Sequence, residues 1–203
     1  LTLTASNNVI SGMTNVTVVA TAGLISHTQT IALTLVGLTN TPPAAPAGLT
    51  AIAGDAQVAL SWPSVADASG YFVKYSFTSG GSYQTITNVA GTGFTNTGLA
   101  NGTLYYFVVS ATNSAGESAG SVSASARPTS SVSTNLSLAV SDNQLQLSWP
   151  QDHTGWLLQA QTNSLGAGLG TNWSTVAGWD TTNQVAVPIS SANDAVFYRL
   201  MHP

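Results

Sequence analysis

Residues 99–111 read LANGTLYYFVVSA. After a leucine and a short polar turn, Tyr105, Phe107, Val109 and Ala111 fall at every second position, the period of a strand with one buried face. The leucine and turn just upstream place Tyr105 as a tyrosine corner: a buried ring whose hydroxyl bonds back to the backbone a few residues earlier. Such a corner is a folding device and takes no part in a reaction. Period-two alternation and β-branched residues continue along the whole chain while helix signals are nearly missing, so the expected fold class is all-β, as tandem β-sandwich modules.

The charge pattern limits what such modules could meet. The 203 residues hold three cations, Lys74, Arg127 and Arg199, against seven carboxylates, for a net charge of -4. Residues 1–54 carry no charged side chain, so solubility there rests on Ser, Thr and Asn. That surface offers almost nothing to trypsin-like proteases, and it points to a secreted or cell-surface location. Three cations cannot neutralise a row of phosphates, which excludes nucleic acid as a partner, and anionic membrane surfaces fall with it. Without cysteine there is no disulfide framework and no thiolate metal site. The longest apolar runs, such as residues 31–38, are broken by Thr and Gly and fall short of the ~20 apolar residues of a spanning helix, so no membrane insertion is expected. No secretory leader opens the sequence, which starts on strand-like text, as a piece of a longer precursor does.

In chain order, residues 1–40 read as about three strands: LTLTA at the start, VTVVATA at 16–22 and HTQTIALTLV at 27–36. The last two form a hairpin, with Val16, Val18 and Ala20 expected across from Ile31, Leu33 and Leu35. Three strands do not close a sandwich, and the pattern resembles the closing strands of a bacterial immunoglobulin-like domain. His27 has no second ligand nearby and reads as an ordinary strand residue. Residues 41–48, TPPAAPAG, hold three prolines and read as a stiff Pro-rich linker at a domain boundary.

Residues 43–128 resemble a fibronectin type III domain. The match is carried by Pro46 and Leu49 at the start, Val58, Leu60 and Trp62 on the second strand, and Gly70, Tyr71, Val73 and Tyr75 on the third. The stretch 99–111 and the turn with Asn113 and Gly116 complete it. The resemblance implies a β-sandwich with Trp62, Tyr71, Tyr105 and Phe107 in its core, acting as a spacer or recognition platform without catalytic residues.

Residues 129–134 then read as a second linker, softer than the first because Ser and Thr replace Pro. Beyond it, at 135–203, the sequence repeats itself. LQLSWP at 145–150 echoes ALSWP at 59–63, Gly155 and Trp156 stand where Gly70 and Tyr71 stood, WSTV echoes YQTI, and VFYRL parallels YYFVV. This mapping supplies the first six strands of a fibronectin-like sandwich and no seventh, with Trp149 and Trp156 inside. The same phrases resemble a small C-terminal β-module of large secreted proteins of environmental bacteria, many of which degrade polysaccharides.

Catalytic material is thin. The histidines lie in separate segments and the carboxylates are scattered singly, with no pair for glycoside chemistry and no Asp-x-Asp run for calcium. Asp152 and His153 sit in a loop where polar residues are ordinary. No enzyme activity, cofactor or metal is expected. The aromatics are more informative, because Trp173 and Trp179 lie in polar, Gly-containing text beside Asn172, Asp180 and Asn183. An exposed indole with amides and a carboxylate suits a sugar ring, offering apolar contact to its CH face and hydrogen bonds to its hydroxyls. The opposing reading packs Trp173 as Tyr83 packs and lays Trp179 over a sandwich edge.

Two functions follow. The chain is either the non-catalytic C-terminal accessory region of a secreted polysaccharide-acting enzyme, a spacer with weak glycan binding, or a structural segment of a cell-surface adhesin or extracellular assembly. In the second case the tail is a docking or sorting module whose partner is an upstream domain of the same precursor or another chain.

Overall fold

The computed structural model describes residues 12–22, 25–35, 41–164, 166–191 and 195–203. Among them are β-strands and a single turn of 3-10 helix at Gln151–His153, and no helix is long and apolar enough to cross a membrane. The strand expected at residues 1–5 lies outside the described residues.

Strands β1 (Gly12–Ala22) and β2 (Ile25–Leu35) form an antiparallel hairpin. Its register departs from the expected one. Val16 does oppose Ile31, but Val18 meets Gln29 and Ala20 meets His27, while Leu33 and Leu35 meet Thr14 and Gly12. Pairing of Ala22 with Ile25 sets this register, since every pair further out follows from where the chain folds back.

The middle of the chain is a two-sheet sandwich. Strands β3 (Thr50–Gly54), β4 (Gln57–Ser61), β5 (Gly70–Ser76), β6 (Gln84–Val89), β7 (Gly93–Thr97), β8 (Tyr105–Asn113), β9 (Gly116–Glu117) and β10 (Ala124–Ala126) follow in order. One sheet runs β3-β4-β7, and the other runs β10-β8-β5-β6 with β9 also on β8. Between them lie Val58, Leu60 and Trp62 from one sheet and Tyr71, Val73, Tyr105, Phe107, Val109 and Ala111 from the other, all buried. The Trp62 ring meets the edge of Tyr71 at a centroid distance of 5.5 Å. Buried phenols need partners. Tyr71 Oη accepts the Val65 amide at 2.8 Å, and Tyr105 Oη accepts the Ala100 amide at 3.0 Å, which is the corner geometry. Strand β8 departs from simple alternation, because Val108 and Ser110 on its other face are buried as well. The chain after β9 folds alongside β8: the Ser118 and Ser121 amides donate to Ala111 O and Val109 O, and Gly120 lies against Val108.

The Pro-rich stretch is no free-standing spacer. Pro43 and Pro46 are buried, and Asn113 Nδ2 donates to Thr41 O at 2.9 Å, so the stretch lies along the sandwich.

The tail folds into a second, smaller sandwich. Strands β11 (Ser137–Ser141), β12 (Gln144–Ser148) and β15 (Gln184–Pro188) make one three-stranded sheet. Strands β13 (Leu157–Asn163), β14 (Ser174–Thr175) and β16 (Ala195–Met201) make the other, in the order β14-β13-β16. Leu147, Trp149 and Leu158 form its buried centre, with Leu145, Val185, Val187, Trp179, Tyr198 and Leu200 packed around them. Trp156 is buried too, but away from this centre.

Trp62 is 4% exposed at the middle of the larger core. Trp62→Ala is therefore expected to lower the stability of this sandwich by about 3–5 kcal/mol, read as a large fall in its melting temperature against wild type.

Candidate functional site

The two sandwiches meet through the turn that precedes Tyr105. With the Ala100 amide held by the Tyr105 hydroxyl, the next two residues project away from the core. Asn101 Oδ1 accepts the Ala56 amide at 2.8 Å, and Asn101 Nδ2 donates to Asp55 Oδ1 at 2.7 Å. The other Asp55 oxygen receives the Ser131 amide at 3.0 Å and its hydroxyl at 2.6 Å. Gly102 donates its amide to Pro128 O at 2.7 Å and accepts from Arg127 Nη1 at 2.6 Å. Its φ is +77°, and a Cβ there would lie 2.0 Å from Gln151 O, so the residue is glycine because the tail's backbone touches it.

The tail closes the same junction from its side. His153 is 4% exposed, with Nδ1 on Asp152 Oδ1 and Nε2 on Val132 O, each at 2.6 Å. Trp156 Nε1 donates to Ser130 O at 2.9 Å, and its ring meets His153 and His202 edge-on at 4.8 and 5.3 Å. Trp156 thus lies between the modules and not in the core of the second. The start of the linker is buried: Thr129 and Ser130, with Pro128 before them, are shielded while Ser131, Val132 and Ser133 are exposed, and the Ser130 amide donates to Asp152 O at 2.9 Å. A soft spacer was expected from its Ser and Thr. Those small polar residues instead satisfy hydrogen bonds inside the contact, which flexible solvated chain would not do.

The candidate sugar-binding residues divide into two sets. Trp173 is half-buried, with the Arg199 guanidinium 4.2 Å from its ring centroid and Arg199 Nε on Gln159 Oε1 at 2.9 Å. Asn172, beside it, accepts from the buried Gln161 amide at 2.5 Å. Trp179, by contrast, packs against the tail core, and Asn183 Nδ2 donates to Trp149 O at 2.8 Å while its own carbonyl takes the Trp149 amide at 3.0 Å. Asp180 is exposed. Among the described residues no hydrogen bond or ring contact joins the Trp173 set to the Trp179 set. The cation over Trp173 comes from a strand 26 residues further along, a pairing that only the β13–β16 register produces.

One aromatic surface was not read from the sequence. Phe77 is 59% exposed at the rim of the fibronectin-like sandwich, with Tyr75 and Tyr105 at centroid distances of 5.6 and 5.4 Å. Tyr75 Oη donates to Gln84 Oε1 at 3.2 Å, and a shallow cleft of about 320 Å³ lies between these groups, Thr78 and Ser82. Phe77 extends the alternation of β5 by one position past its end, which was the available signal. No group of three His, Asp or Glu side chains converges among the described residues.

Two outcomes follow from the junction. Gly102→Ala, which sets a side chain against Gln151 in a strained φ, is expected to leave the fibronectin-like core folded and to free the modules from each other. In ¹⁵N relaxation their tumbling times would separate, and a variant that still tumbles as one body would contradict the contact. The second outcome concerns pH. Hydrogen bonds from Ser131 foremost, then from Asn101, hold the Asp55 carboxyl at about 2 instead of 3.8. A carboxylate so depressed contributes its full stabilisation above its unfolded value and loses it as pH falls toward its folded one. Coupled tumbling is therefore expected to weaken between pH 3.8 and about 2. Asp55→Asn, which cannot ionise, should lack this transition.

Comparison with known proteins bears on the central sandwich. The fibronectin type III domain family matches residues 44–127. A curated relative, the amylopullulanase of Thermoanaerobacterium saccharolyticum, is 34% identical over 134 residues, covering 63% of this chain and 10% of that protein. The chain thus spans about a tenth of the length of that relative. Among solved structures, an Fn3-like protein from Clostridium thermocellum is 41% identical, covering 41% of this chain and 90% of that one at a TM-score of 0.40. A beta-1,2-glucanase from Parabacteroides distasonis is 24% identical over 51% of this chain and 15% of its own, at a TM-score of 0.39. With the family match laid over the two sheets and the tyrosine corner, residues 44–127 are a fibronectin type III domain.

Proposed function

We propose that this chain is a non-catalytic accessory region of a larger secreted protein that acts on polysaccharide, holding its modules in fixed relation and adding weak glycan contact. The observation that carries this reading is the similarity to an amylopullulanase, which runs over 134 residues and so exceeds the 84 residues from 44 to 127 that the fibronectin family accounts for. The junction supports the spacer role, since buried linker residues and the Gly102–Gln151 contact resist hinge motion. In the same reading, residues 1–40 are the end of an immunoglobulin-like domain, and 135–203 are a terminal β-module of secreted bacterial proteins. An extracellular setting agrees with a surface that depends on Ser, Thr and Asn.

Two aromatic surfaces serve the glycan contact. One is Trp173 with Asn172, Gln159 and Arg199. The other is Phe77 with Tyr75 and Gln84, where an exposed ring adjoins an amide and hydroxyls in a concave site. Trp179 and Asn183 enter less directly, because both are engaged with Trp149 and its neighbours. Stacking and hydrogen bonds to uncharged sugar hydroxyls make the contact weak and nearly indifferent to salt.

The test is a pull-down of the 203-residue chain on a panel of insoluble polysaccharides, at low and high salt, beside Trp173→Ala and Phe77→Ala. Retention of wild type on at least one polysaccharide, reduced in one of the folded variants, is the expected result. Wild type that stays in the supernatant with every polysaccharide, or equal retention of both variants, would remove glycan binding from the reading.

A further inference from the structure

Asn101 and Gly102 are the only Asn-Gly pair in the sequence, and they lie in the turn through which the modules meet. Such a pair is the backbone's readiest site of reaction with itself. The glycine nitrogen attacks the side-chain amide carbon of the asparagine, a five-membered imide closes, and ammonia leaves with the proton that nitrogen carried. Water then opens the imide at one of its two carbonyls. The product is an aspartate, or an isoaspartate whose main chain runs through the former side chain. Glycine permits the approach because it has no Cβ in the way.

Here the groups of that first step are all held. The nucleophile is the nitrogen of Gly102, a buried residue, and its N–H donates to Pro128 O at 2.7 Å, which shields the proton from hydroxide. The electrophile is tied at both ends. Asn101 Oδ1 accepts the Ala56 amide at 2.8 Å, and Nδ2, the leaving group, donates to Asp55 Oδ1 at 2.7 Å. The Ala56 amide polarises the side-chain carbonyl, which favours attack. Attack also requires the side chain to swing onto the Gly102 nitrogen, and its two bonds to residues 55 and 56 oppose that. These holds belong to the junction: Ser131 bonds the other oxygen of Asp55, and Gln151 O stands over Gly102. Reaction therefore waits for the junction to open.

Neither product fits the place it leaves. An aspartate sets a carboxylate oxygen where Nδ2 donated to Asp55, so acceptor faces acceptor and like charges adjoin. An isoaspartate lengthens the main chain ahead of Gly102, where even a Cβ would lie 2.0 Å from Gln151 O. We propose that Asn101 is a self-modification site gated by the junction, protected while the sandwiches are docked and converted on opening to a product that keeps them apart. The contact is then a one-way switch, fixed until its first release and hinged afterwards. This goes beyond the accessory role and holds whether or not the chain binds glycan.

The test follows ammonia release, and the aspartate and isoaspartate content of position 101 by peptide mapping, in mildly alkaline buffer. The 203-residue chain is compared with an unstructured peptide of residues 97–106. Local opening limits the reaction, so the folded chain is expected to convert at least about tenfold more slowly than the peptide. Ser131→Ala and Trp156→Phe each remove a hydrogen bond of the junction without altering Asn101 or Gly102, and each should speed conversion by about two- to tenfold. Amide exchange in β8 is measured in parallel and should stay slow, which distinguishes release of the junction from unfolding of the fibronectin domain. Asn101→Asp, the direct product, should separate the tumbling times of the two sandwiches in ¹⁵N relaxation at neutral pH. Any of three results would overturn the proposal. A folded chain that converts as fast as the peptide is not guarded. Variants that both convert at the wild-type rate remove the junction as the gate. An Asn101→Asp chain that still tumbles as one body shows that the product does not hold the modules apart.

Discussion

The hydrogen bond from the Ala100 amide to the Tyr105 hydroxyl is the contact on which the arrangement of this molecule depends. It fixes the turn before β8, and that turn faces two ways. Inward, it closes the fibronectin core over Phe107 and Val109. Outward, it presents Asn101 to Asp55 and Gly102 to the backbone of the tail. A ring that is buried for the sake of one sandwich therefore sets where the next one begins. The corner was read as a folding device, and it is one, but the structure it organises is larger than its own domain.

A chain so poor in charge must hold its modules together by other means. The junction uses neutral hydrogen bonds from Ser130, Ser131, Asn101 and Trp156, with Asp55 and Asp152 as acceptors and Arg127 donating to a carbonyl. The Trp156–Ser130 bond, which is buried, gains strength by its removal from water, and leaving it unmade would cost more than making it returns, whereas the bonds to Asp55 are solvent-exposed. Lys74 and Glu117 make an ion pair at the surface of the fibronectin domain, where solvent limits its worth. The charged groups at the junction are thus Asp55, Asp152 and Arg127, with Asp55 exposed at its surface.

The internal repeat shows how one template diverges under different constraints. Trp62 and Trp149 hold equivalent core positions, 4% and 3% exposed. Tyr71 and Trp156 begin equivalent strands, yet Tyr71 packs on Trp62 while Trp156 turns to Ser130 and His153 at the junction. Among the described residues, the β16 edge carries no strand where the fibronectin domain has β10.

Fold class, the strand carrying Tyr105 and the core roles of Trp62, Tyr71, Phe107 and Trp149 were legible in the sequence alone, because each is a local pattern. Alternation, a turn and an aromatic at fixed spacing read the same wherever the strand is placed. What the tertiary structure decided depends on which distant residues meet. The Ser and Thr of residues 129–134 read as solvated linker, since nothing local reveals that Asp55 bonds Ser131 and that Asp152 O takes the Ser130 amide. His153 read as loop polarity until Val132 was found at its second nitrogen. Trp179 and Asn183 looked like surface residues in polar text, and Arg199 had no visible tie to Trp173 before β16 was laid beside β13. Periodicity reports which face of a strand is apolar. Only the packed chain determines what covers that face, and for β11 it leaves Leu138 and Val140 largely exposed.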